Sequence, residues 1–139
     1  MSEISTGGCL CGAVTYRITG PFKGFFLCHC SRCRKATGSA HAANLFSDAA
    51  QIDWLSGGET VQNFRLEGTR FTRSYCPGCG ASVPTVSRDG TRMMVPAGGL
   101  DSDVALRPDA HIFCASRANW DSALDAVIKL GAGPGSDEA

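Results

Sequence analysis

Residues 28–33 read Cys28-His29-Cys30-Ser31-Arg32-Cys33, three thiols within six residues, too many to pair among themselves. A second group of thiols brackets them: Cys9 and Cys11 near the start, Cys76 and Cys79 past the middle. The preferred reading gives the outer four one closed zinc site and the inner three a second zinc with a position left open. The rest of the chain is read as the scaffold that holds these ligands.

Disulfides are the competing explanation for eight cysteines in 139 residues. A Cys-x-Cys pair on an extended segment points both side chains the same way, about 7 Å apart, which suits a shared metal better than a bridge. The first residues, Met1 to Thr6, carry no basic region followed by an apolar run, so no signal peptide is expected. A cytoplasmic chain is therefore expected, where close cysteine pairs more often bind metal than oxidise. No stretch is apolar for long enough to span a bilayer.

Cys76-Pro77-Gly78-Cys79-Gly80 is the strongest local motif, because Pro and Gly tighten a turn that aims two thiols at one ion. Gly8-Cys9-Leu10-Cys11-Gly12 offers the matching pair. Spacing alone also allows Cys30 and Cys33 to join Cys76 and Cys79 in an ordinary zinc ribbon. Zinc is favoured over an iron–sulfur cluster because ferredoxin-type cysteine runs are absent. Three thiolates on zinc would make it a poor generator of hydroxide and a better holder of sulfur, which points to attack of a thiol on a carbonyl.

Around the thiols, Arg32, Arg34 and Lys35 are candidates to steer an anionic substrate through its carboxylates. His29 would point away from the metal, in a supporting or surface role, while His41 and His111 read as strand residues with satisfied ring nitrogens. Cys114, in the apolar run His111-Ile112-Phe113-Cys114, reads as buried and structural.

Thirteen basic and thirteen acidic residues give a formal charge of zero. Seven thiolates and two zinc ions would bring the loaded chain to about −3, which argues against nucleic-acid binding. The composition, with 43% hydrophobic residues, 17 glycines and 6 prolines, describes a turn-rich globular chain.

Working outward, Val14, Tyr16 and Ile18 alternate with Thr15, Arg17 and Thr19 in a half-buried strand that Gly20-Pro21 ends. Phe25-Phe26-Leu27 leads a second strand into Cys28. One helical turn is expected over 31–37, capped by Ser31 and stopped by Gly38. Further strands are expected at 41–46 and before Gly57-Gly58, then as pairs at 61–66 with 70–75 and at 82–87 with 92–95. A last strand is expected at 111–116. Phe25-Phe26, Trp54 and Met93-Met94 read as core. Leu124, Val127 and Ile128 predict a short helix within 122–130, and 131–139 reads as a mobile tail. The whole, 1–139, is expected to be a single zinc-binding domain, mainly β.

These parts together resemble the family of glutathione-dependent formaldehyde-activating enzymes, which includes centromere protein V. The resemblance runs from about Gly7 to Trp120. It rests on Gly8-Cys9-Leu10-Cys11-Gly12, on Cys28-His29-Cys30-Ser31-Arg32-Cys33-Arg34-Lys35 with Gly38, on Tyr75-Cys76-Pro77-Gly78-Cys79-Gly80, and on His111-Ile112-Phe113 with Trp120. It implies an Mss4-like (β-tent) fold, antiparallel sheets around a structural zinc with short helical turns. It also implies two zinc ions per chain, a structural one on Cys9, Cys11, Cys76 and Cys79 and a catalytic one on Cys28, Cys30 and Cys33. The implied activity is that of a carbon–sulfur lyase acting on a thiol–aldehyde adduct such as S-hydroxymethylglutathione, formed from glutathione and formaldehyde. The alternative is a non-catalytic zinc module for protein or chromatin binding. A weaker reading takes Cys114 as a nucleophile, because methionine sulfoxide reductases of the B type share the Mss4-like fold.

Overall fold

The computed structural model describes residues 3–139; Met1 and Ser2, on which part of the leader reading rests, lie outside the described residues. In chain order the elements are β1 (Ile4–Gly8), β2 (Thr15–Thr19), β3 (Gly24–Cys28), α1 (Ser31–Thr37), β4 (Ala42–Ser47), β5 (Gln51–Ser56), β6 (Gln62–Arg65), β7 (Thr72–Tyr75), β8 (Ser82–Val83), β9 (Thr85–Val86), β10 (Met93–Pro96) and β11 (Ala110–Ile112). Among the described residues the chain is mainly β, with one short α-helix.

The strands form three sheets, ordered β1-β2-β5, β11-β3-β4-β10-β9 and β6-β7-β8. Pairing is antiparallel except where β11 runs parallel to β3, with Ile112 opposite Cys28. The expected alternation of β2 is what places the core: Val14, Tyr16 and Ile18 are each 0% exposed. Burying a side chain of the size of Val or Ile contributes about 1.5–3 kcal/mol, so this face alone anchors the first sheet. The Tyr16 ring meets Trp54 edge-on at 5.9 Å between centroids, and its hydroxyl donates to the Gly99 carbonyl at 3.3 Å. Burial, reinforced by Asp101, pushes that hydroxyl up to about 12.

Elsewhere the observed strands keep the expected order, with corrections that have physical causes. The run expected at 82–87 is cut at Pro84, which has no N–H to give a ladder. Its first half joins β7 and its second half joins β10, so one segment serves two sheets. The run expected at 111–116 ends at Ile112, because Phe113 adopts a left-handed conformation (φ 57°) and a 3-10 turn follows. Between Ser122 and Leu130 there is only a 3-10 turn, Leu124–Ala126. Leu124, Val127 and Ile128 remain exposed, so that segment has no core to fold a helix against. The tail closes on itself through hydrogen bonds from Gly131 to Asp137 and from Ala139 to Lys129, both 2.9 Å.

Candidate functional site

Strand β3 delivers Cys28 at its last residue, and α1 begins three residues later. The cap of α1 is Cys30 rather than Ser31: the Cys33 amide donates to Cys30 Sγ at 3.3 Å. Sulfur thus replaces the usual cap oxygen, and the loop turns with its thiols facing inward. At the other end Gly38 takes the left-handed conformation (φ 66°) and its N–H returns to the Arg34 carbonyl. Cys28, Cys30 and Cys33 form one group whose sulfurs all lie within 4.8 Å of one another.

Cys9, Cys11, Cys76 and Cys79 form a second group of the same compactness. Two loops make it, one after β1 and one after β7. The Cys9 and Cys11 sulfurs are 3.6 Å apart, and those of Cys11 and Cys76 are 3.8 Å apart. Tetrahedral coordination with metal–sulfur bonds of about 2.3 Å sets sulfurs about 3.8 Å apart, whereas a disulfide would bring them to about 2 Å. The donor set therefore fits a zinc-sized thiophilic ion. All eight cysteines are free thiols.

The electrostatics of both groups are those of crowded thiols. At Cys33, burial comes first, and the neighbouring Cys28 and Cys30 push the thiol up further. Burial also raises Cys28. At Cys30 burial is outweighed by hydrogen bonds from the Cys33 amide and its neighbours, and the thiol falls below its ordinary value. In the second group the Ala81 amide, followed by the Cys11 amide, holds Cys79 down to about 6. Cys11 stands at about 11, because Cys9, Cys76 and Cys79 together outweigh the lowering effect of the Ala13 amide. Within each group some thiols ionise readily at the expense of others, and a divalent cation removes that conflict by accepting every sulfur as thiolate.

A cleft of about 640 Å³ runs between the two groups, with Cys9 on one wall and Cys33, Ala36 and Thr37 of α1 on another. Arg73 and Asp101 also line it, one charge of each sign. Arg73 is held by Ser82 Oγ at 3.1 Å, with its guanidinium 5.5 Å from the centre of the Tyr75 ring. Arg32, Arg34 and Lys35 line neither this cleft nor the smaller one described next. Arg32 and Lys35 point to solvent, and Arg34 Nη1 donates to the Ser116 carbonyl at 2.9 Å.

What sequence reasoning missed lies behind the three-thiol loop. All three histidines of the chain converge there, with ring centroids separated by 5.1 Å for His29 and His41, 5.0 Å for His29 and His111, and 6.2 Å for His41 and His111. His29 is buried, and its Nε2 shares a 2.8 Å hydrogen bond with His111 Nδ1. Burial leads the causes that lower the basicity of His41, with His29 and His111 adding to it; its Nδ1 has no partner. A second cleft, about 450 Å³, opens on this side and is lined by His29, His111, Cys114, Arg117 and Asp121 among others. Cys114 is exposed, contrary to the buried role expected of it, because the turn after Phe113 carries it out of the sheet. The available signal was weak: His29 sits beside the thiols, His41 immediately before β4 and His111 within β11, far apart in sequence.

Comparison with known proteins adds three findings. A family model described as glutathione-dependent formaldehyde-activating enzyme matches residues 4–116. A protein of Halomonas elongata, provisionally named a glutathione-dependent formaldehyde-activating enzyme, is 30% identical over 122 residues, covering 82% of this chain and 77% of that one. A crystal structure of a Rhodobacter sphaeroides protein superposes with a TM-score of 0.58 at 18% identity, covering 76% of this chain and 98% of the other; at that identity it speaks for the fold alone. Among the described residues no helix is long and apolar enough to cross a membrane.

Proposed function

This chain belongs to the family of glutathione-dependent formaldehyde-activating enzymes, and from that premise we propose that it is a zinc-dependent carbon–sulfur lyase acting on a thiol–aldehyde adduct. The observation that carries the reading is the compact group of Cys28, Cys30 and Cys33, with Cys33 at the wall of the larger cleft. Three thiolates leave one position of a tetrahedral ion open, whereas the four of Cys9, Cys11, Cys76 and Cys79 close theirs. The second group is therefore assigned the structural zinc.

Zinc bound by three thiolates supplies a coordination position that prefers sulfur and leaves that sulfur nucleophilic. The protein's own part is to hold the thiol-bearing molecule in the cleft. Arg73 offers a partner for a carboxylate and Asp101 one for an ammonium, the two kinds of charged group that a glutathione-like peptide presents. In the synthetic direction the thiol sulfur bonds to the carbonyl carbon of formaldehyde, the C=O π pair moves to oxygen, and the thiol proton ends on that oxygen. In the lyase direction the carbon–sulfur bond breaks and the proton returns to sulfur. No electron is gained or lost by the pair, so no redox cofactor is called for.

Metal content and exchange kinetics test this together. The fully loaded protein is expected to carry two zinc ions and to accelerate exchange between glutathione, formaldehyde and their adduct, read by NMR exchange spectroscopy above the uncatalysed rate. Exchange at the background rate would remove this substrate pair. A single zinc in fully loaded protein would remove the two-site assignment.

A further inference from the structure

The loop that carries Cys28, Cys30 and Cys33 is gripped from behind by one segment of chain. The His29 amide donates to the Ile112 carbonyl at 2.9 Å. On the same side, His29 Nε2 shares its 2.8 Å hydrogen bond with His111 Nδ1. Asp121 Oδ2 stands 3.1 Å from His29 Nδ1, although off the axis a hydrogen bond would need. From α1, Arg34 reaches the Ser116 carbonyl at 2.9 Å. All four contacts join residues 28–34 to residues 111–121, and Asp121 lies beyond the span 4–116 that the family model matches.

His29 is 2% exposed. An apolar ring could fill that volume without the desolvation cost of two ring nitrogens, so the imidazole at this position is explained by its partners rather than by packing. Three thiolates brought to one ion repel one another until it binds, and a short loop left free would splay them. A loop fixed beforehand does not have to be ordered when the ion arrives, and groups that orient ligands from outside the coordination sphere are worth about 10–100-fold in metal affinity.

We propose that residues 111–121 form a latch on the three-thiol loop, with His29 and Asp121 as positioning residues that set how tightly the loop holds a divalent thiophilic cation. The latch rests on the reading that these three thiols bind metal. It is independent of which thiol or aldehyde the cleft accepts. It also gives Arg34 a place that the substrate-steering expectation did not: its charge is spent on a carbonyl of the latch.

The test is zinc affinity of the full-length protein, by competition with a chromophoric chelator, with cobalt(II)–thiolate charge-transfer bands reporting coordination. Asp121→Ala and His29→Phe are expected to weaken the second equivalent by about 10-fold or more, while the first equivalent and the melting temperature stay close to those of the unaltered protein. Asp121→Asn, which keeps an oxygen toward His29, should recover part of the loss. Asp125→Ala, in the same cleft without a contact to His29, should change neither equivalent. Unchanged affinity for the second equivalent in folded Asp121→Ala overturns the latch alone; should His29→Phe fail to fold, this half-buried variant still decides. A single equivalent in the unaltered protein overturns the three-thiol reading and the latch with it.

Discussion

Cys30 serves twice within one turn of chain. Its sulfur receives the Cys33 amide as the cap of α1 and also belongs to the three-thiol group. Serine is among the best residues for a helix cap, so Cys30→Ser removes a candidate ligand sulfur while leaving the cap in place. The expected outcome is loss of one zinc of two, by metal analysis, with the melting temperature largely retained. Cys76 differs, being 1% exposed and set in the core. Cys76→Ser is expected to cost the fold as well as the metal, because structural zinc contributes folding free energy directly; loss of the cooperative melting transition would report it. Spacing singled out the cysteines but left a ribbon of Cys30, Cys33, Cys76 and Cys79 open, and the family resemblance was needed to divide them as the structure does; the histidine cluster was not legible at all. Residues 29, 41, 111 and 121 carry no shared local pattern; the pairing of β4 with β3 brings His41 to His29, the pairing of β11 with β3 brings His111, and the turn beyond β11 returns Asp121.

At the scale of elements, legibility followed how strongly each segment's apolar pattern was answered by the core. β2 alternates cleanly and all its inward residues are buried. The segment near Leu124 has apolar residues at helical spacing but nothing to cover them, so spacing alone misled. α1 is the marginal case, a seven-residue helix that presents only Cys33 as a buried residue and depends on its ends. Gly38 at its C-terminus is left-handed, and an added Cβ there would meet nothing within 4 Å. The cost of Gly38→Ala is then backbone strain alone, about 1 kcal/mol. A drop of that size in denaturant-derived stability, with the structural zinc retained, is the expected result, measured by urea unfolding with metal analysis.

Across the whole molecule, the four-thiol group joins the loop leaving β1 to the loop leaving β7, and so ties the first sheet to the third. Cys11 and Cys76 are 65 residues apart in sequence. An ion bound there closes a long loop that the unfolded chain would otherwise keep open. Removal of metal by a strong chelator is therefore expected to abolish the melting transition or lower it steeply, and added zinc to restore it; an unmoved transition in demonstrably metal-free protein would refute this. Structural zinc sites are worth about 10–16 kcal/mol in small domains, more than the net stability of most chains of this length.

The parallel pairing of β11 with β3 has a consequence in time. Antiparallel neighbours such as β3 and β4 are close in sequence and can meet as soon as both have emerged from the ribosome. The partner on the other side of Cys28 is Ile112, so the cysteine loop is synthesised well before the strand that walls it in. Until then its thiols are open on one flank to whatever metal or oxidant the nascent chain meets.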